Sequence, residues 1–323
     1  MSSGEDDLIA RYFRPVATAP GALGLVDDAA VLQPAGDDIV VTADAIVAGV
    51  HFLPDDPPDT VARKALRVNL SDLAAKGATP AGFVLTLALR EVSESWLAPF
   101  ARALGDDAVH FDCPLLGGDT VSTPGPLTVS ITAFGRVPPG RMVRRSTAKP
   151  GDHVMVSGSI GDAVLGLAIL KGASSGAGED ARAALADRYR VPQPRVTLAL
   201  AVRDHASAAM DVSDGLMGDL AKLCAASGVS AAIEAAAVPL SPSARGWLQR
   251  DSAAIGMLVS GGDDYEILCT VPDHRLAAFE AAAEETGTSV SRIGRIVSGK
   301  APPKLLDARQ QEIALARLSY SHF

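Results

Sequence analysis

The stretch TVARKALRVNLSDLAAKGATPAGFVLTLALR, residues 60–90, passes from one secondary-structure period to the other. In TVARKALRVNLSDLAAKGA (60–78), Ala62, Ala65, Leu66, Asn69 and Leu73 recur at helical spacing and form one stripe. FVLTLALR (83–90) is β-rich instead. The same alternation runs outward from this pair. IVVTAD (39–44), PLTVSITAFGRV (126–137) and HVMVSG (153–158) read as strands. SESWLAPFARALGDDAVHF (93–111) reads as a second helix with Ser93 or Ser95 as its cap, and another helix begins near Gly161. The expectation is an α/β (α+β mixed) chain, with the strand order left open.

PPGRMVRRSTAKPGD (138–152) is rich in Pro, Gly and basic residues between two strand signals. It predicts an N-terminal α/β domain over 1–137, a linker over 138–149 and a C-terminal α/β domain over 150–323. GASSGAGED (172–180) reads as a surface loop. With 323 residues and 48% hydrophobic composition, the chain can bury a large core or two ordinary ones. A net charge of -9 argues against nucleic acid and anionic membranes as partners. It leaves phosphorylated small molecules open, because bound metal ions reverse the local sign of a site. Cys113, Cys224 and Cys269 lack CxxC spacing and read as small buried residues in a reducing compartment. The acidic start MSSGEDDLIARYF has no apolar signal-peptide core, and no apolar run approaches the roughly 18 residues that span a bilayer. The expected location is therefore cytoplasmic.

Three motifs mislead. GRIVSGKA (294–301) matches GxxxxGK, but Ala301 stands where a magnesium-binding hydroxyl belongs, and Pro302 and Pro303 do not open an ordinary helix. GASSG (172–176) matches GxSxG outside any strand-to-helix elbow. GSIGDAVLG (158–166) reads as a plain strand-to-helix connection.

The recurrent signal is aspartate at the edge of apolar runs: GLVDDAAVLQ (24–33), TADAIV, NLSDLAA, LLGGDT, AMDVSDGL and SGGDDYEIL. Asp28, Asp44, Asp72, Asp119, Asp211 and Asp214 each have a plainer reading as turn, cap or surface charge. If several converge, repulsion between carboxylates about 4 Å apart, roughly 4 kcal/mol at an effective dielectric near 20, requires protons or cations between them. Oxygen-only donors select a hard cation such as Mg²⁺, and an open shell suits the phosphates of a nucleoside triphosphate. Thr42 and Asp44 are expected at the end of a strand, Asp119 after a Gly117–Gly118 turn, and Asp211, Ser213 and Asp214 at a helix start favourable to anions and their metals.

GLVDDAAVL, TADAIVAGVHF, KALRVNLSDLAAKGATP, LLGGDT, RRSTAKPGD, MDVSDGL and SGGDDYEIL occur in this order, with SYSHF at the end. Together they resemble the thiamine-monophosphate kinase family, within the superfamily that also holds aminoimidazole ribonucleotide synthetase and selenophosphate synthetase. The resemblance implies a two-domain fold like that of aminoimidazole ribonucleotide synthetase. It also implies a homodimer built by the N-terminal domain, and a nucleotide held between the domains. The implied reaction is direct transfer of the γ-phosphoryl group of ATP to thiamine monophosphate, assisted by several Mg²⁺ ions and without a covalent enzyme intermediate. The implied Mg²⁺ positions are Asp28, Thr42, Ala43 (through its carbonyl), Asp44, Asp72, Asp119, Asp211 and Asp214, with Asp44, Asp72 and Asp119 the most critical. Gly118, Asp119, Arg145 and Ser213 are implied for ATP, and His51, Asp263 and Tyr320 for thiamine monophosphate. The chain departs from the family pattern at Ala43, where a hydroxyl is usual, at Val121-Ser122-Thr123 after GGDT, and at Asp263, where Glu is usual. Two alternatives stand beside this reading: another ATP-using enzyme of the superfamily, or a non-catalytic nucleotide- or metal-binding protein.

Overall fold

The computed structural model describes residues 8–25, 32, 35–174 and 178–319. The periodic stripe over 60–78 belongs to helix α1 (Pro58–Ala75), which starts on a proline whose fixed φ suits a first helical position. Ala62, Ala65, Leu66, Asn69 and Leu73 of that stripe are all buried. Helix α2 (Glu94–His110) follows Ser93, but the Ser93 hydroxyl pairs with that of Ser95 and caps no backbone N–H. Neither serine therefore caps α2 in the expected way.

The first sheet comprises β1 (Asp38–Val47), β2 (Thr79–Leu89), β3 (Leu115–Ser122) and β4 (Thr128–Val137) in the order β1-β4-β2-β3. β4 is antiparallel to both β1 and β2, whereas β3 runs parallel to β2. Two expectations are corrected here. β1 continues to Val47, so Thr42 and Asp44 lie in its middle and not at its end. Gly117 and Gly118 lie within β3, not in a turn. A Cβ on Gly118 would fall against the backbone of Leu85, so the glycine lets β3 close on β2. Of the two glycines, Gly118 thus marks a close strand approach, whereas a Cβ on Gly117 would meet nothing within 4 Å.

Alternation gives this sheet two unlike faces. Phe83, Leu85, Leu87 and Leu89 of β2 and Val129, Ile131, Ala133 and Val137 of β4 are buried. α1 lies on that side: Leu73 occupies the space a Gly135 side chain would need, and Thr42 reaches Asp72. Arg63 and Arg67 of α1 both bind Asp107 of α2, at 2.8 Å and 2.6 Å, tying the two helices together. The other face carries Val41, Ala43 and Ala45 of β1 and Val121 of β3, all exposed. Val84, Ala88 and Phe134 on the same face are half-buried.

The second sheet has six strands: β5 (His153–Ser157), β6 (Ala208–Asp211), β7 (Ser230–Glu234), β8 (Ile267–Val271), β9 (Val290–Val297) and β10 (Lys304–Leu306), in the order β10-β7-β9-β5-β8-β6. Its described helices are α3 (Asp162–Leu170), α4 (Glu179–Arg190), α5 (Ala199–His205), α6 (Leu216–Ser227), α7 (Pro242–Arg250), α8 (Ala254–Ser260) and α9 (Asp273–Glu285). Both faces are covered. Val154, Met210 and Leu268 pack with Leu216, Leu220 and Leu223 of α6, while Met155, Ala209 and Cys269 pack with Val202 of α5 and Phe279 of α9. That is why these strands read as continuous apolar runs and not as alternating ones. Gly294 sits inside β9 opposite Ile233 of β7, so the GxxxxGK match is a strand and not a phosphate loop. The chain thus has the mixed α/β architecture expected, and it divides into two compact units: Met1–Leu73 with Ala78–Gly140, and Ala74–Gly77 with Arg141–Phe323.

Cys113, Cys224 and Cys269 are free and buried. Burial pushes the thiols of Cys113 and Cys269 up to about 12 and that of Cys224 up to about 11. Among the described residues, no helix is long and apolar enough to cross a membrane.

Candidate functional site

In the first unit, the middle of β1 and the outer half of α1 meet at polar residues. The Thr42 hydroxyl donates to Asp72 Oδ2 at 2.5 Å. The Asp44 N–H donates to Asn69 Oδ1 at 3.1 Å, and the Asn69 amide in turn donates to the Ala65 carbonyl at 3.0 Å. Asn69 is fully buried, so its amide must be partnered, and it fixes the height of β1 over α1. Thr42, Asp44 and Asp72 are thereby gathered on the covered face, with the Asp44 side chain exposed. Ala43 lies between them with its side chain on the opposite, open face.

The strand register separates Asp119 from this group. Asp44, Ile131, Leu85 and Gly118 form one cross-strand row; Ala45, Ser130, Thr86 and Asp119 form the next. Adjacent rows point to opposite faces, so Gly118 shares a row with Asp44, whereas Asp119 projects with Thr86. His51 follows β1 in a turn. Its Nδ1 accepts the Val47 N–H at 3.0 Å, which places the proton of the neutral ring on Nε2. Beneath it, Lys64 of α1 is only 1% exposed and donates to the His51 carbonyl at 2.8 Å. Lys64 and Asn69 were missed as site residues. Their signal was available: each is a polar side chain within or beside an otherwise apolar helical stripe.

In the second unit, β6 delivers Asp211, and the chain then turns into α6. The N–H groups of Ser213, Asp214 and Gly215 all donate to Asp219 Oδ2, at 3.0, 2.9 and 3.1 Å. Gly215 adopts φ 125°, and a Cβ there would lie 2.7 Å from the Ser260 carbonyl carbon. Both demands restrict the position to glycine. Lys222, one turn further along α6, bridges Asp214 Oδ2 at 2.5 Å and Asp219 Oδ1 at 2.8 Å. Burial pushes Asp219 above the usual carboxylate range against the pull of Lys222. Burial works to lower Lys222, but its bonds to Asp214 and Asp219 carry it upward. The donors expected to greet an anion at this helix start are therefore already taken by Asp219. What the turn offers outward is carboxylate oxygen.

A second segment is laced to this one. Asp263 N–H donates to the Ser213 carbonyl, Tyr265 N–H to that of Val212, and Val212 N–H to that of Glu266, each at 2.8 Å. The lacing brings Asp211, Ser213, Asp214 and Asp263 to one edge of the unit. Arg145 does not join them. It is exposed on a loop whose carbonyl accepts from Ser227, the last residue of α6, while Asp214 stands before the first. The two anchors are separated by the helix length, about 18 Å for twelve residues. Asp28 and Tyr320 lie outside the described residues. Ser319, the neighbour of Tyr320, packs against the position of a Gly218 Cβ in the first turn of α6, and the Arg317 carbonyl accepts from Ser260 at 2.8 Å.

The donor chemistry fits a hard divalent cation: carboxylates, a threonine hydroxyl and backbone carbonyls, with no sulfur or imidazole pair. On Asp214, the Lys222 ammonium already provides the cationic neighbour that such a carboxylate requires. Among the described residues, no three His, Cys, Asp or Glu side chains come together closely enough to enclose a cation.

The chain is similar to known proteins over nearly its whole length. Residues 26–137 match the family model for the N-terminal domain of AIR synthase related proteins, and residues 149–302 match that for the C-terminal domain. A thiamine-monophosphate kinase of Caulobacter vibrioides is 47% identical over 98% of this chain and 90% of its own length. The crystal structure of thiamine-monophosphate kinase from Stenotrophomonas maltophilia K279a superimposes with a TM-score of 0.84 at 40% identity, covering 97% of this chain and 99% of that one. A structure of AaThiL complexed with AMPPCP and TMP gives a TM-score of 0.78 at 27% identity, over 94% of this chain and 97% of that one.

Proposed function

We infer the reaction from one premise: this chain belongs to the thiamine-monophosphate kinase family of AIR-synthase-related proteins. It is an enzyme that uses ATP to phosphorylate thiamine monophosphate, giving thiamine diphosphate and ADP. The observation that carries this is similarity at 47% identity over 98% of the chain. The relative bound to AMPPCP, an ATP analogue, and TMP supports the same pair of substrates. An oxygen of the thiamine phosphate forms the new bond to the γ-phosphorus, and the bond to the β,γ-bridging oxygen breaks as ADP leaves. The nucleophile is already an oxyanion at neutral pH, so no strong general base is needed. Positioning and charge stabilisation carry the catalysis.

We assign Mg²⁺ ligation to Asp44 and Asp72 on the covered face of the first sheet, with Thr42 beside them, to Asp119 and the Ala43 carbonyl as separate positions of that unit, to Asp28, and independently to Asp211 and Asp214 of the second unit. The metal, when bound, neutralises phosphate oxygens that would otherwise repel one another. The residues themselves do the rest. Thr42 donates to one oxygen of Asp72 and so fixes the orientation of its carboxylate. Asp219 consumes the three N–H groups of the Ser213–Gly215 turn and holds it in shape. Gly118, Asp119, Arg145 and Ser213 are the ATP contacts we propose, with Arg145 supplying positive charge. His51, with its proton on Nε2, Asp263 and Tyr320 are the proposed contacts to thiamine monophosphate. If γ-labelled ATP is used, the label belongs in the terminal phosphate of thiamine diphosphate; label released wholly as inorganic phosphate would favour another reaction of the superfamily.

The proposed assembly is a homodimer through the open face of the first sheet, and the proposed location is the cytoplasm, where ATP is abundant and free thiols persist. Val41 is 57% and Val121 42% exposed on that face. Exposed valines of this kind suit an interface, and the same face also carries Thr86 and Asp119. The substitution Val41→Asp is expected to halve the mass seen by light scattering, from twice the chain mass to one. An unchanged mass would place the interface elsewhere.

A further inference from the structure

Beneath the edge that carries Asp263 lies an ionic cluster the reaction does not use. Glu266 is completely buried, and its carboxylate is gripped by the Arg195 fork at 2.7 and 2.5 Å, by Arg188 at 3.1 Å and by the Ser157 hydroxyl at 2.6 Å. Ser157 in turn accepts the Ile267 N–H at 2.8 Å. Asp264, also completely buried, accepts the Gly161 N–H with both oxygens, at 3.0 and 2.9 Å, and its own carbonyl accepts from Arg188 at 3.2 Å. Gly158 adopts φ 57°, and a Cβ there would strike the Glu266 carboxylate and come within 2.5 Å of Arg195. Backbone and side chains are thus shaped around this cluster.

The segment it holds is strained. Asp263 has φ 72° and Tyr265 φ 51°, left-handed values that residues with a Cβ rarely adopt. They flank the buried Asp264. Such conformations persist only where the surroundings over-determine them. Here the anchors at Asp264 and Glu266 draw alternate residues inward, and this forces Asp263 and Tyr265 to the edge shared with Ser213 and Asp214. We propose that Arg188, Arg195 and Glu266 are positioning residues that present Asp263 to the phosphorylated acceptor. This rests on the reading of Asp263 as an acceptor contact.

The test uses the full-length enzyme and steady-state kinetics in both substrates. Arg195→Lys keeps the charge but loses the two-pronged grip on Glu266. It is expected to raise the KM for thiamine monophosphate roughly tenfold, about 1.4 kcal/mol of binding, with the KM for ATP within twofold and the melting temperature little changed. Asp263→Ala should raise the same KM, and adding Arg195→Lys to it should produce no further rise, because both changes act through one side chain. If Asp263→Ala leaves the KM unchanged, the acceptor-site reading itself fails. If Asp263→Ala raises it while Arg195→Lys lowers only the melting temperature, or adds its full effect on top of Asp263→Ala, the cluster is structural and the positioning role is overturned.

Discussion

Replacement of Asp44 by Asn is expected to remove turnover almost completely while leaving the protein folded. The fold uses the backbone N–H of Asp44, which donates to Asn69, and the exposed side chain is close in shape to Asn. A melting temperature within a few degrees of the parent follows. Catalysis loses more. A carboxylate about 4 Å from a cationic centre is worth roughly 4 kcal/mol at an effective dielectric near 20, and each 1.36 kcal/mol is tenfold in rate, so the loss is on the order of 10³-fold. Asp72→Asn is a less clean probe because it also disturbs the bond from Thr42. Initial rates at saturating ATP, paired with a melting curve, settle the matter. Near-parental turnover would show that Asp44 holds no catalytic metal.

The largest loss of stability is expected at Asp107, far from the chemistry in role. Its carboxylate is 2% exposed and takes both Arg63 at 2.8 Å and the two-pronged grip of Arg67 at 2.6 and 2.9 Å. Arg67 is itself only 9% exposed. Asp107→Ala would leave that guanidinium buried without its counter-charge, a cost of about 3–5 kcal/mol. Arg63→Met removes a partner that is 28% exposed, where screening leaves such pairs worth about 1 kcal/mol or less. The ordering of the two is the test. Equal shifts in the denaturation midpoint would mean that the pair between α1 and α2 does not act as a buried anchor.

How much of this was legible beforehand depends on the range of the interaction. The helix over 60–78 was readable because its stripe is periodic, and every member of the stripe is buried. The strand β3 was not, because LLGGDT has two glycines where strands avoid them, and only the parallel partner β2 makes sense of Gly118. For the same reason Asp119 was expected after a turn, and only the register shows it on the opposite face of the sheet from Asp44. The acidic positions of the second unit were visible as residues, but their grouping was not. Ser213 and Asp263 are fifty residues apart in sequence and meet through one backbone bond. Asp219, Lys222, Arg188 and Arg195 lie outside every quoted motif, and Glu266 lies inside SGGDDYEIL without any sign of its partners, since long-range ion pairs leave no periodic trace.

The most direct test of the account is the product balance of the purified protein with ATP, Mg²⁺ and thiamine monophosphate, read by mass spectrometry with and without EDTA. Thiamine diphosphate and ADP are expected in equal amounts, both vanishing when the metal is chelated. ADP formation without thiamine diphosphate, or nucleotide binding without any turnover, would contradict it.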